Sequence, residues 1–111
     1  MLVTPESLEA AYSFLLTTKP FSAWKLPHVD EVEFHVLRTH KLHGDYSYPP
    51  HTIRATQHWK DLHTVTFLAT VAHEIVHMRC ALAGFPVDHG KEFKRLARMV
   101  CREHGWCVAT F

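Results

Sequence analysis

The chain has 111 residues, with 12 lysines and arginines, 11 aspartates and glutamates, and 11 histidines. This length predicts one domain spanning residues 1–111, and an apolar content of 47% excludes a disordered chain. A formal charge of +1 excludes binding to nucleic acid or anionic membranes through bulk charge, so only a local patch could do it.

The three cysteines contain no C-x-x-C pair, which excludes a disulfide framework and a zinc ribbon. The first eleven residues lack a basic region and contain Glu6 and Glu9, so we expect no secretory signal. The longest weakly polar stretch, residues 65–72, is too short to cross a bilayer. These features predict a soluble, cytoplasmic protein without a membrane partner.

A first helix is predicted to begin at Thr4-Pro5, because threonine caps free amides and proline suits the first helical position. Pro20 marks the stretch where this helix must have ended. The apolar residues between these points repeat with helical spacing. They are Leu8, Ala11, Tyr12, Leu15 and Leu16.

Three short segments then show the patterns of strands. Apolar residues alternate with polar ones over residues 32–36, and His43-Gly44-Asp45 resembles a turn that leads to a returning strand over Tyr46–Tyr48. A third strand is predicted over His51–Gln57, with Ile53 and Ala55 on one face. We expect these two or three strands to pair antiparallel.

The period changes to helical from about Leu62. This second helix is apolar most of the way round, which predicts a central, buried position. The stripe comprises Val65, Leu68, Ala69, Ala72, Ile75 and Val76, with Phe67, Val71 and Met78 on the other side. Gly84 and Pro86 predict its end, and a last helix is predicted from about Gly90 to His104. The fold class is therefore α+β.

The second helix contains the sequence His73-Glu74-Ile75-Val76-His77. Histidines four residues apart share a helix face, so their ring nitrogens can converge on one zinc ion. Glu74 lies beside such an ion, where a carboxylate can accept a proton from water. Burying these polar residues in an apolar helix without partners would cost several kcal/mol, on the order of magnitude of polar-group transfer.

A catalytic zinc needs a third protein ligand and one open position. A third histidine six residues after the second is excluded, because Ala83 stands there. His89 follows the break at Gly84 and could fold back onto the motif helix. Glu92, one turn further, is the competing ligand, since carboxylates also bind zinc. The downstream candidates also include Glu103 and His104.

The motif helix followed by His89-Gly90-Lys91-Glu92-Phe93 resembles the metalloprotease core of the SprT-like (Spartan-type) family over about residues 30–104. The turn at residues 44–46 and the strand around Ile53 resemble the small sheet of that family. The resemblance implies a zincin-like fold and a zinc-dependent endopeptidase of protein substrates, which are DNA-associated in the family. By position, it implies His73, His77 and His89 as zinc ligands and Glu74 as the catalytic acid and base.

The last helix also carries a basic strip that could follow a phosphate backbone. The strip consists of Lys91, Lys94, Arg95, Arg98 and Arg102. The same pattern is typical of the solvated face of an amphipathic helix, and Glu92 and Glu103 flank it. Two alternatives to a protease therefore stay open: a zinc-binding interaction module without turnover, and a DNA-binding protein that zinc stabilises.

Overall fold

Helices and a small sheet together form an α+β fold in the computed structural model, which describes residues 2–59 and 63–111. Within those residues there are three α-helices and three strands. The helices are α1 (Pro5–Leu15), α2 (Thr64–Leu82) and α3 (Lys91–His104), and the strands are β1 (Glu33–Leu37), β2 (Gly44–Ser47) and β3 (Thr52–Thr56). Short 3₁₀ turns occur at Phe21–Ala23, Val29–Glu31 and Val108–Thr110.

Helix α1 begins where the sequence predicts. The Thr4 hydroxyl accepts a hydrogen bond from the Ser7 backbone amide at 3.0 Å, and the Ser7 hydroxyl accepts one from the Thr4 amide at 2.9 Å. This reciprocal capping box satisfies two amides that have no partner inside the helix. Leu8 and Tyr12 are fully buried on its inner face, which confirms the predicted apolar stripe.

The sheet is mixed, so the expectation of purely antiparallel pairing is wrong. The strand order is β1-β3-β2, with β3 antiparallel to β2 and parallel to β1. Strand β3 occupies the central position because it is the most buried strand. Its residues Ile53, Ala55 and Thr56 are at most 1% exposed. Strands β1 and β2 run in opposite directions, as two strands of a hairpin would, but β3 lies between them.

The predicted turn at His43-Gly44-Asp45 is also wrong, since Gly44 and Asp45 are the first residues of β2. Asp45 lies opposite Arg54 of β3, and the two side chains form an ion pair. The Arg54 Nε donates to Asp45 Oδ1 at 2.7 Å. Opposite charges directly across a strand pair stabilise the pairing, which explains why a turn-forming sequence is extended here.

Helix α2 has buried residues along most of its length, but not on every face. Ile75, Val76 and Met78 are fully buried, as the apolar pattern predicts, but Val65 is 58% exposed. The predicted inner stripe is therefore wrong at Val65, because that face of the helix is open there, whereas Phe67 on the other side is 1% exposed. The predicted start near Leu62 lies outside the described residues, and the helix begins at Thr64.

Two glycines in left-handed conformation end the last two helices, as the sequence predicts. Gly84 has φ +82° just after α2, and Gly105 has φ +73° just after α3. Side chains rarely adopt this conformation, so glycine is the residue that fits these ends. In the part of the chain that the structure covers, none of the helices combines the length and apolarity needed to cross a bilayer.

Candidate metal centre

Three histidine rings converge at one point beside α2. Nε2 of His89 lies 3.1 Å from Nε2 of His73 and 3.2 Å from Nε2 of His77. One ligand atom from each residue lies within 4.8 Å of the other two, so the three histidines could hold a metal ion. The helical spacing brings His73 and His77 together, and the turn before α3 supplies His89.

The spacing of these nitrogens fits a four-coordinate ion. Zinc–nitrogen bonds of about 2.0–2.1 Å at tetrahedral angles separate neighbouring nitrogens by about 3.3 Å. The two separations through His89 are close to that value. Three imidazole nitrogens are also the donor set of known zinc sites that keep a fourth position open.

The backbone oxygen of Phe111 fixes which nitrogen of His73 carries the proton. It lies 2.6 Å from His73 Nδ1, and a carbonyl oxygen can only accept, so Nδ1 must donate. Nε2 of the neutral ring is then an acceptor that points to the other two histidines. An outer hydrogen bond of this kind commonly orients a metal-ligating histidine.

His77 is the most buried of the three candidate ligands, with 7% of its surface exposed. Burial, followed by the neighbouring His73 and His89, lowers the pKa of His77 to about 4. Burial also lowers the pKa of His73. Both rings are therefore neutral at pH 7, which is the form that binds metals. In the described residues, Nδ1 of His77 is the one buried side-chain nitrogen or oxygen without a hydrogen-bond partner.

Of the two predicted third ligands, His89 reaches the cluster and Glu92 does not. The Asp88 side chain accepts a hydrogen bond from the Gly90 amide at 2.9 Å, which holds the turn on which His89 lies. Glu92 instead accepts two hydrogen bonds from Arg95, at 2.7 and 2.8 Å. This pairing lowers the pKa of Glu92. The carboxylate is thus directed along the surface of α3, and His89 takes the third place.

Phe93 packs against all three imidazoles. Its ring centroid lies 4.8 Å from that of His73, 4.6 Å from that of His77 and 4.8 Å from that of His89. It is 6% exposed and belongs to the hydrophobic core. Phe93 shares the buried face of α3 with Leu96 and Val100, and this spacing alone gives no sign of its contact with the histidines.

Glu74 lies next to the histidines with only 4% of its surface exposed. Burial, with a smaller contribution from Asp45, raises its pKa to about 8. The carboxylate faces Gly44 of β2: a Cβ at Gly44 would lie 3.4 Å from Glu74 Oε2 and 2.7 Å from the Arg54 carbonyl oxygen. A side chain at Gly44 would collide with the Arg54 oxygen, so glycine lets β2 pair with β3 at this point beside Glu74.

A cleft of about 620 Å³ opens from His73 and Glu74 along the first half of α2. The start of β2 and the segment that follows α3 form its other walls. The lining residues are His43, Gly44, Val65, Thr66, Ala69, Thr70, His73, Glu74, Gly105, Trp106, Cys107, Thr110 and Phe111. The contribution of residues 105–111 carries no recognisable signal in the sequence.

The basic strip of α3 is exposed along its length. All five side chains, Lys91, Lys94, Arg95, Arg98 and Arg102, face solvent. Arg95 is paired with Glu92, which partly neutralises one end of the strip.

Histidines outside the cluster pack as separate pairs. His40 stacks on His58 with ring centroids 3.8 Å apart, and His43 packs against Trp59 at 4.5 Å. Nδ1 of His51 lies 2.6 Å from the Tyr46 hydroxyl. Within the described residues, His73, His77 and His89 are the one group of three or more suitable side chains close enough to share an ion.

Comparison with known proteins gives no relative from which a role could be transferred. No family model matches the chain, and no curated protein matches it.

Proposed function

We propose that this chain is a zinc-dependent metalloendopeptidase of SprT-like, zincin type that hydrolyses peptide bonds of protein substrates. The observation that carries the proposal is the convergence of three imidazoles beside the buried carboxylate of Glu74, at the end of an open cleft. A purely structural zinc site normally has four protein ligands and needs no neighbouring base. Three ligands together with a carboxylate favour catalysis.

The ligands in this proposal are His73, His77 and His89. When bound, zinc polarises a carbonyl as a Lewis acid and lowers the pKa of water towards about 7. The backbone oxygen of Phe111 orients His73, and Phe93 keeps the three rings in place.

Glu74 moves the proton in this proposal. Its carboxylate accepts a proton from the attacking water and then donates it to the nitrogen that leaves when the peptide bond breaks. Burial of Glu74 raises its affinity for the proton, and the positive charge of a bound ion acts in the opposite direction. These two effects leave the carboxylate able both to accept and to release a proton near neutral pH.

Strand β2 offers a binding edge for the substrate backbone. It is an outer strand of the sheet, and its first residue, Gly44, lines the cleft beside Glu74. An extended peptide can add to such an edge through main-chain hydrogen bonds. The substrates that suit this geometry are therefore unfolded or locally extended protein segments.

The test measures metal content and proteolysis on the same preparations. Purified protein should contain one zinc per chain and cleave casein, and metal removal should abolish cleavage until zinc is restored. The Glu74→Gln variant should keep the zinc and lose cleavage by several orders of magnitude. Casein cleavage that survives this substitution would refute the role of Glu74, and the absence of stoichiometric zinc would refute the site. Bound zinc without any cleavage by the native chain would favour an interaction module.

The exposed cations of α3 support a second proposal, that DNA binds along this helix. Phosphate contacts would make the affinity depend steeply on salt. Charge reversal of Arg98 and Arg102 should weaken binding of single-stranded DNA at least tenfold at low salt and flatten the salt dependence. Unchanged binding after both reversals would remove this proposal without affecting the protease site.

A further inference from the structure

The cleft has a mostly apolar end that the metal centre does not use. Ala69 and Val65 lie four and eight residues before His73, so they continue the same face of α2 away from the ligands. Trp106 and Phe111, both half-buried, line the cleft from the segment after α3. The cleft therefore joins a reactive end to an apolar end.

The charge of the lining restricts what can bind there. Among the described residues that line the cleft, Glu74 is the one acidic side chain, and there is no lysine or arginine. A charged side chain placed at the apolar end would lose hydration without gaining a partner of opposite charge. An apolar side chain would instead cover Val65, which is 58% exposed.

We propose that this end of the cleft is a subsite for a large apolar side chain of the substrate, and that Ala69 sets the size it accepts. This inference rests on the proposed function. Glu74 lines the cleft, and in that function it protonates the leaving amine. Because Glu74 lines the cleft, the side chain in the subsite belongs to a residue next to the broken bond.

The volume of the cleft suits this occupant. About 620 Å³ lies within the range of sites that bury small organic ligands, roughly 300–1,000 Å³. Ala69 is half-buried and projects a single methyl group next to the reactive end. A longer side chain at this position would occupy the space nearest to His73, while leaving the three ligands and Glu74 unchanged.

The experiment compares peptides that differ at one position, which is leucine, phenylalanine, alanine, aspartate or lysine. Binding is measured by calorimetry on the zinc-loaded Glu74→Gln protein, so the result does not depend on turnover. Cleavage by the unmodified chain is measured in parallel, and new amino termini are identified by mass spectrometry. We expect leucine and phenylalanine peptides to bind about tenfold or more tightly than the other three, because one methylene in an apolar pocket is worth roughly 10–200-fold.

Two cleft variants and one matched control locate the preference. Ala69→Leu should weaken binding of the phenylalanine peptide at least tenfold and leave the alanine peptide within twofold. Val65→Lys should improve binding of the aspartate peptide relative to the leucine peptide. Leu82→Lys adds the same charge at another exposed apolar position of α2, outside the cleft lining. This control should change neither the binding of the phenylalanine peptide relative to the alanine peptide nor that of the aspartate peptide relative to the leucine peptide. Thermal unfolding identifies a variant that does not fold. The other of the two cleft variants then tests the subsite.

The outcomes separate the two proposals. Equal binding of charged and apolar peptides, or no binding at all, overturns the subsite. Cleavage that never occurs next to the apolar residue overturns its assignment to a position beside the broken bond. Selective binding without any cleavage by the unmodified chain supports the subsite and refutes the peptidase.

Discussion

Phe93 stacks on His77 with ring centroids 4.6 Å apart and an interplanar angle of 29°. The ring of Phe93 also contacts His73 and His89, so one core residue of α3 supports all three candidate ligands. Packing in a protein interior is dense enough that removal of a ring allows its neighbours to move. The hydrophobic core and the candidate metal centre are therefore physically coupled at this residue.

Phe93→Ala is expected to lower both stability and metal affinity. Removing a buried phenylalanine side chain typically costs about 3–5 kcal/mol of unfolding free energy, and loss of support for a ligand typically costs about 10–100-fold in affinity. Leu96→Ala is the control, since Leu96 is buried on the same helix at 3% exposure. It should lower the unfolding free energy while zinc affinity stays within about threefold. Similar zinc affinities for the two variants would contradict the coupling.

The third ligand can be identified by comparing two substitutions. His89→Ala should reduce zinc affinity by more than about 100-fold, because loss of even an outer partner costs about 10–100-fold. Glu92→Ala should leave zinc affinity unchanged, since the Glu92 carboxylate is paired with Arg95. Competition with a chelator of known affinity measures both. The reverse pattern would assign the third position to Glu92.

Asp88 should affect metal binding without being a ligand, because its side chain holds the turn that carries His89. Asp88→Ala removes the acceptor of the Gly90 amide and is expected to weaken zinc binding about tenfold, in line with other outer-shell losses. Asp88→Asn keeps a side-chain oxygen at the same position and should bind zinc within about threefold of the native chain. Equal losses in both variants would point to the charge of Asp88 instead of the turn.

The buried carboxyl of Glu74 predicts a pH-dependent stability of the metal-free chain. Its folded pKa of about 8 lies above the unfolded value of 4.5, so the folded state retains a proton that the unfolded state has lost. Stability should therefore fall as the pH rises from about 4.5 to 8. Glu74→Gln removes this contribution and should be more stable than the native chain at pH 8 by about 2–5 kcal/mol, at about 1.4 kcal/mol per pKa unit.

The control for this effect is pH 5, where the stabilities of the two metal-free proteins should differ by less than about 1 kcal/mol of residual packing change. Urea unfolding in the presence of a chelator measures both conditions. A constant difference across the pH range would show that the substitution acts through packing, not through ionisation.

The sequence predicted the helices and the shared face of His73 and His77 well because both depend on local spacing. Thr4 and Gly105 mark helix ends through local backbone chemistry, and His73 and His77 share a face through the helical repeat. The parallel pairing of β1 with β3 was not predictable in this way, because strand order depends on which segment buries most surface. The exposure of Val65 likewise depends on distant segments, because its face of α2 lines the cleft while Phe67 on the other side is buried.

The part of the site that came from distant segments was the hardest to predict. The Phe111 backbone oxygen acts through main-chain geometry, which no residue type signals. The resemblance to the SprT-like family implied His89 as the third ligand, and His89 does lie in the histidine cluster, whereas spacing left Glu92 as a competitor. Neither residue spacing nor the family resemblance predicted that Trp106 forms an apolar wall of the cleft.

Strand β2 has four residues, and as the outer strand it pairs with β3 on one side. Because the bonding groups of a strand alternate in direction, only about two of its residues present their amide and carbonyl to an added chain. So short an edge gives little adhesion between copies of this protein, which limits uncontrolled sheet growth in concentrated solution. The β2 edge beside the cleft can thus stay exposed with little tendency to pair with the same edge of another copy.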